Sequence, residues 1–518
     1  MFLTPARAAI AIVTVATAGT IACSRPERLA ADLLITHARI WTGNPATPEA
    51  AALAVIGDRI VDIGGPDAIE RWRGANTTVL HAEGRRVLPG FNDAHVHFVD
   101  GGIELDNVDL AGADTPAEFA RRIAERVKAQ PGEWILGGNW NAGQWTPASL
   151  PTRQLIDDAT NGTPVFVSRF DGRAALANSA ALGRAGITER TPDPPGGTFA
   201  RDPATGFPTG LVEGAAMDMV ARVIPAMTPA QRLHAVKRAL EHAASLGVTS
   251  VQDMNSAPED MAVYADLAAR DELTARIYAV SRESGWYDQA KIGVRRAFGS
   301  PWLRIGAVVG DFAGATDVGA MRIRLMAADH AGLQLCIDAS GDTAISRTLD
   351  LFGDIVRANG GRDRRFRIEG AQAVAPEDVD RVASLGVVTS LQPSRAGGGL
   401  RTLAATGARL ALGSGWTRAP LNPMLTLYAA TTGATLDGTT PAGGVRQPMT
   451  MAEAVAAYTS GSAFAEFQGD QKGTLVRGAL ADFVILSDDI LSLPATQIRS
   501  VHVLTTVVAG RVVHQRKP

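Results

Sequence analysis

Cysteine is nearly absent from this sequence, which has only two among its 518 residues, Cys23 and Cys336. The fold must therefore be stabilised without a framework of disulfide bonds. Cys336 stands in the apolar segment 333–337 and is predicted to be a small core residue. Hydrophobic residues make up 46% of the chain, so burial of a large apolar core can supply the stability instead.

The sequence also lacks a marked excess of either positive or negative charge. The chain has 50 lysine and arginine residues against 53 aspartate and glutamate residues, which gives a formal net charge of -3. This balance provides no electrostatic basis for binding a polyanion. We therefore expect no nucleic-acid partner.

A long apolar run lies at the N-terminus, where it covers 8–22 and follows Arg7. The run is short for a membrane-spanning helix but has the length of a signal-peptide core, so we predict export. The next residue is Cys23, and 20–23 is similar to the lipobox of bacterial lipoproteins, in which the cysteine is lipidated. Thr20 departs from that pattern, so secretion without a lipid remains open. The expected locations are the periplasm or the membrane surface, with Cys23 as the only membrane anchor.

The middle of the chain alternates between short apolar segments and amphipathic segments. Two of the latter, 229–246 and 376–385, have alanine, leucine and valine at helical spacing. Such alternation is typical of parallel strands joined by crossover helices, and eight strands are the number that a TIM barrel requires. The predicted barrel strands are 89–98, 248–254, 275–281, 303–309, 333–339, 366–371, 387–392 and 409–414.

The first of these strands carries two histidines in the sequence LPGFNDAHVH, residues 88–97. Side chains two residues apart leave a strand on the same face, so His95 and His97 can direct their imidazoles at one point. Neutral imidazole is a common zinc ligand. The segment resembles the first barrel strand of the amidohydrolase superfamily, in the amidohydrolase-3 branch that includes the N-substituted formamide deformylases. The resemblance implies an α/β fold with a TIM (β/α)8 barrel of the metallo-dependent hydrolase type.

Strand-like segments lie near both chain ends, at 31–41, 52–56 and 59–63 and at 481–486 and 501–513. They resemble the small β-sandwich that amidohydrolases build from their two termini. Two unrelated β-extensions are the alternative. The segment between the first two barrel strands is too long for one crossover, so an insertion of about 104–245 is expected. The predicted organisation is a signal segment at 1–23, a composite β-sandwich at 24–88 and 466–518, and a TIM barrel at 89–465.

The chemistry of this superfamily requires one or two divalent metals to activate a water, and a carboxylate to accept its proton. By the resemblance, the remaining ligands come from histidines on strands five and six and an aspartate on strand eight, and in some members also from a lysine on strand four. The corresponding residues here are Asp338, Gly370 and Gly415, with Val309 at the lysine position. Valine and glycine offer no side-chain ligand, so the two-metal mechanism of the family cannot operate here as written.

One metal site is still conceivable. His95, His97 and Asp338 would supply two imidazoles and a carboxylate, a ligand set found in catalytic zinc sites and in non-haem iron sites. The alternative is that Asp338 is hydrogen-bonded in the barrel mouth without a metal. The cofactor is therefore a divalent metal, with zinc favoured, or none. The catalytic base is not identified, because the family aspartate is replaced by Gly415, and Asp311 near the end of strand four is the candidate substitute.

The resemblance also suggests ligand contacts outside the strand ends. Trp140 and Glu213 lie in segments of the insertion that are similar to the deformylase-like branch, and Trp416 follows strand eight. Arg173 replaces a histidine and could bind an anionic ligand through two hydrogen bonds. Each of these residues has a simpler interpretation as a packing or surface residue.

Two functions fit these residues. The first is an exported amidohydrolase-like enzyme that hydrolyses a non-peptide carbon–nitrogen bond of a small amide-like molecule with one metal. The second is a pseudoenzyme whose barrel mouth binds a ligand or a partner. The loss of most family ligands and of the catalytic aspartate favours the second function.

Overall fold

A computed structural model describes residues 29–146, 148–312, 314–371, 374–394, 400–405, 407–439 and 448–517. The predicted signal segment and Cys23 lie outside the described residues. Within these ranges, no helix is long and apolar enough to cross a membrane.

Eight parallel strands, which follow one another in the order of the chain, form a barrel at the centre of the molecule. The ring closes between strands one and eight, where the Gly415 amide donates to the His95 carbonyl (2.9 Å) and the His97 amide to the Trp416 carbonyl (2.6 Å). The predicted TIM barrel is thus confirmed. Barrel strands one to eight are Phe91–Val96, Val248–Met254, Arg276–Arg282, Leu303–Asp311, Gln334–Asp338, Arg367–Glu369, Val388–Leu391 and Arg409–Leu412.

Helices surround the barrel, and the longest of them bury apolar side chains along one face. Pro229–Ser245 begins with a capping box between Thr228 and Gln231 and buries alanine, valine and leucine on one side. It packs closely on Phe98–Glu104, since a Cβ on Gly102 would lie 1.9 Å from the Ala235 carbonyl oxygen. The further helices of the barrel region are Pro258–Ala269, Trp286–Lys291, Val318–His330, Asp342–Asn359, Val379–Ser384, Leu400–Ala405, Pro423–Thr432, Met451–Ala456 and Ser462–Ala465, the last two joined by a π-helical turn at Ala457–Gly461.

The chain ends form two packed sheets. One contains Arg59–Gly64, Ala52–Ile56, Leu33–Thr36 and Thr78–His81; the other contains Arg511–Gln515, Val503–Val508, Phe483–Leu486, Arg86–Pro89, Arg39–Trp41 and Glu49–Ala50. Phe483–Leu486 pairs with Arg86–Pro89, so both termini contribute to the second sheet. Leu53 of the first sheet and Phe483 of the second belong to one apolar core. This is the expected β-sandwich built from both ends.

The segment after strand one forms a separate six-stranded sheet, in the order Gly197–Arg201, Pro208–Gly214, Ala174–Ala177, Phe166–Arg169, Gly137–Trp140 and Val108–Asp109. Its helices are Pro116–Ala129, Gln154–Thr160, Ser179–Arg184 and Ala215–Ala221. The insertion has its own apolar core, in which Phe119, Trp140 and Trp145 are buried.

Candidate functional site

A cavity of about 520 Å³ opens at the carboxyl ends of the barrel strands, where TIM-barrel proteins place their functional residues. Strand one contributes His95 and His97, strands four and five contribute Asp311 and Asp338, and Gly415 follows strand eight. The structure therefore brings the predicted metal ligands, the candidate base and the position of the missing aspartate to one cavity.

A buried carboxylate orients the imidazole ring of His95. Its Nδ1 lies 2.9 Å from Oε2 of Glu369 on strand six, and Glu369 Oε1 lies 2.8 Å from Nη2 of Arg367. Burial alone would raise the pKa of Glu369, but the charge of Arg367 and the bond to His95 outweigh it, and the pKa lies below its usual value. An ionised carboxylate can only accept, so His95 carries a proton on Nδ1, and its Nε2 faces away from Glu369.

His97 has the same protonation pattern. Its Nδ1 donates to the Met254 carbonyl oxygen at 3.1 Å, which leaves Nε2 without a proton. Burial lowers the pKa of His97, and the charge of Arg418 acts in the same direction. The imidazole is therefore neutral near pH 7. Histidines that bind metals have this arrangement, with the other ring nitrogen donated to a carboxylate or a carbonyl.

A metal site also requires a third ligand close to the two imidazoles. Among the residues that the structure describes, no three His, Cys, Asp or Glu side chains lie close enough together to hold a metal ion. Catalytic zinc normally needs three protein ligands. Gly370 and Gly415, which replace family ligands, have φ angles of 78° and 73°, a conformation that side chains on L-residues disfavour. The residues present therefore do not fit the metal centre that the fold family implies.

A buried aspartate links the two strands that close the barrel. Asp93 accepts hydrogen bonds from the amides of His95 and Ser414 and from the hydroxyl of Tyr458. Burial raises the pKa of Asp93 to about 6, although these donors act in the opposite direction. Asp93 thus fixes the backbone around the cavity, and it is not among the residues that line it.

The cavity wall is rich in charge of both signs. Its arginines are Arg282, Arg324 and Arg418. Its carboxylates are Glu283, Asp311, Asp317 and Asp338. Arg324 is paired with Glu283 at 2.8 Å, whereas within the described part of the chain neither Arg282 nor Arg418 forms an ion pair. Such a wall suits a polar or charged small molecule better than an apolar one.

Four predicted ligand contacts do not line this cavity. Trp140 is fully buried in the insertion, where its Nε1 donates to the Val167 carbonyl oxygen. Trp416 is 5% exposed and packs on Phe98. Arg173 and Glu213 lie at one end of the insertion sheet. The two tryptophans are thus buried packing residues, and Arg173 is exposed while Glu213 is partly buried.

The arginines of the cavity were missed by reasoning from the sequence. Arg282 is the last residue of strand three, and Arg418 lies three residues beyond Gly415. Their only signal was their place just after predicted strands, since no family motif marked them. The bond between Glu369 and His95 was not predicted from the sequence either.

An eight-stranded parallel barrel with a cavity at its carboxyl mouth and a sandwich made from both termini defines a TIM-barrel protein with a terminal β-sandwich. Solved structures support this fold. An uncharacterized metal-dependent hydrolase from Pyrococcus furiosus superposes with a TM-score of 0.71 at 22% identity, over 89% of this chain and 100% of that chain.

Sequence comparisons identify the family. The model of the amidohydrolase family matches residues 78–514. The protein LONG AFTER FAR-RED 3 of Arabidopsis thaliana is 32% identical over 94% of this chain and 92% of its own length. The N-substituted formamide deformylase of Arthrobacter pascens is 26% identical over 94% of this chain and 98% of its own. The chain belongs to the amidohydrolase family, in its amidohydrolase-3 branch.

Proposed function

We propose that this protein is a pseudoenzyme of the amidohydrolase family that binds a small ligand in the barrel mouth without a catalytic metal. One observation carries the proposal: at the mouth, glycines and a valine stand where the family has side-chain ligands, and no three potential ligands converge among the described residues. Without an activated water and a carboxylate to take its proton, the family reaction loses its two main sources of rate.

A second function, a one-metal hydrolase, is supported by the two histidines. Both have Nδ1 held by a protein acceptor, and Asp338 lines the same cavity. The resemblance to metal-dependent hydrolases and to an N-substituted formamide deformylase favours the same function. We rank it below the first because the two imidazoles lack a third ligand nearby in the described part of the chain.

We expect the full chain, purified without a chelator or added metal, to contain far less than one metal ion per molecule. Incubation with zinc followed by desalting should not change this, because two imidazoles alone hold zinc weakly. The purified protein should also leave N-alkyl formamides intact. The measurement is metal content by mass spectrometry, together with an assay for released amine.

A bound metal would contradict this expectation. Close to one zinc or iron per chain, lost in Asp338→Ala but kept in the control Asp342→Ala, would overturn the pseudoenzyme proposal. Asp342 is a suitable control because it is an exposed carboxylate only four residues further along the chain.

We also propose, from the N-terminal segment alone, that the protein is exported to the periplasm and that Cys23 anchors it if lipidated.

A further inference from the structure

The charges around the cavity are unevenly distributed. In a closed ring of eight strands, the pair formed by strands eight and one lies opposite the pair formed by strands four and five. Arg418 stands on the first side, beside His97. Asp311 and Asp338 stand on the second side, where they are register partners on adjacent strands.

The other charges reinforce this polarity. The wall from strand three to strand five carries two arginines against four carboxylates, a formal excess of two negative charges. One of those arginines, Arg324, is already paired with Glu283. On the side of strands eight and one, the charged lining residue within the described part of the chain is Arg418. A dipolar ligand would therefore have one preferred orientation across the mouth.

We propose that the cavity binds a small zwitterionic amide, whose carboxylate is held by Arg418 and whose ammonium group faces Asp311 and Asp338. A guanidinium binds a carboxylate through two parallel hydrogen bonds, which makes Arg418 the anchor. Two carboxylates on neighbouring strands match the donors of an ammonium group. Each Nδ1 of His95 and His97 is held by a protein acceptor, so the Nε2 side of both rings is available to the amide group between the two ends. This inference rests on the proposed function as a metal-free binding site.

Glycine oligomers of two to four residues test the inference, because each can be made in four charge forms: zwitterion, N-acetylated anion, C-amidated cation and doubly blocked neutral molecule. Binding to the full-length protein is measured by calorimetry. At the length that fits best, the zwitterion should bind at least about tenfold more tightly than either singly charged form. Equal affinity for all four forms, or no binding by any of them, would overturn the inference.

Variants assign each end of the ligand. Arg418→Gln should abolish the preference for the zwitterion over the C-amidated form and keep the preference over the N-acetylated form. Asp338→Asn should abolish the preference for the zwitterion over the N-acetylated form and keep the preference over the C-amidated form. Arg190→Gln is the control, because the Arg190 side chain is 91% exposed and does not line the cavity. Unchanged preferences in both mouth variants, with unchanged melting temperatures, would also overturn the inference.

Different results would overturn the pseudoenzyme function and the assignment of a zwitterionic ligand. A stoichiometric metal and released amine would overturn the pseudoenzyme function, whereas loss of the charge preference would overturn only the identity of the ligand.

Discussion

Among single residues, two glycines stand where the family has side-chain ligands, and their backbone conformations disfavour any side chain. Gly370 and Gly415 have φ angles of 78° and 73°, in the left-handed region where a Cβ is strained. The Gly370 amide donates to the Ser390 carbonyl and the Gly415 amide to the His95 carbonyl, so both conformations are fixed by hydrogen bonds between strands. A histidine or an aspartate placed there would have to overcome this strain before it could bind a metal.

We predict that Gly370→Ala and Gly415→Ala each destabilise the protein by about 1–2 kcal/mol, because an L-residue must then occupy a left-handed conformation. The measurement is urea unfolding followed by circular dichroism. Gly183→Ala is the matched control: Gly183 lies in the helix Ser179–Arg184, and nothing lies within 4 Å of a Cβ there. Alanine should be neutral or stabilising at that position. If the two strand-end variants matched this control, the glycines would not be required by the backbone.

At the scale of elements, a buried ion pair joins the barrel to the sandwich. Arg276 begins strand three, and Asp482 directly precedes the strand Phe483–Leu486. The guanidinium binds the carboxylate through two hydrogen bonds of 2.7 and 2.9 Å, and both side chains are almost fully buried. Burial alone would raise the pKa of Asp482, but Arg276 lowers it below the usual value. The stability that this carboxylate contributes is thus present at neutral pH and is lost as the pH falls through its lowered pKa.

We predict that Asp482→Ala destabilises the protein by about 3–5 kcal/mol, since it leaves the charge of Arg276 buried without a partner. Arg276→Met combined with Asp482→Leu should cost less than the single change, because no unpaired charge remains. Urea unfolding at pH 7 measures both. Lys237→Gln is the control, since it breaks an exposed ion pair with Glu272 and should have little effect. A double variant less stable than Asp482→Ala would contradict this account.

The elements themselves were largely predictable from the sequence. Strand two, Val248–Met254, has the predicted bounds, and the helix Pro229–Ser245 ends one residue before its predicted end. Apolar runs and helical periodicity are local patterns, so they can be recognised without knowing the fold. The side-chain contacts at the mouth are different, because Glu369 meets His95 across 274 residues of sequence. Which nitrogen of His95 is protonated depends on that long-range contact, and no local pattern reveals it.

At the scale of the whole molecule, the barrel and the two chain ends form one structure. Phe483–Leu486 lies in the sheet between Arg86–Pro89, from the N-terminal part of the chain, and Val503–Val508. The Thr506 hydroxyl donates to the carbonyl of Ala244, at the end of the helix that precedes strand two. Val507 is fully buried in the core of the sandwich. The last strands therefore stabilise the sandwich and contact the barrel at the same time.

We predict that removing residues 487–518 abolishes the soluble, cooperatively folded protein. The deletion removes the two strands beyond Phe483–Leu486 together with Val507 of the sandwich core, and it leaves Phe483–Leu486 as an unprotected edge strand, a known cause of aggregation. The measurements are the soluble yield after expression and the sharpness of thermal unfolding. Removal of 517–518 alone is the control and should change neither, because it leaves the last strand, Arg511–Gln515, intact. A truncated protein that still unfolds in one sharp transition at the original temperature would mean that the barrel folds independently of the chain ends.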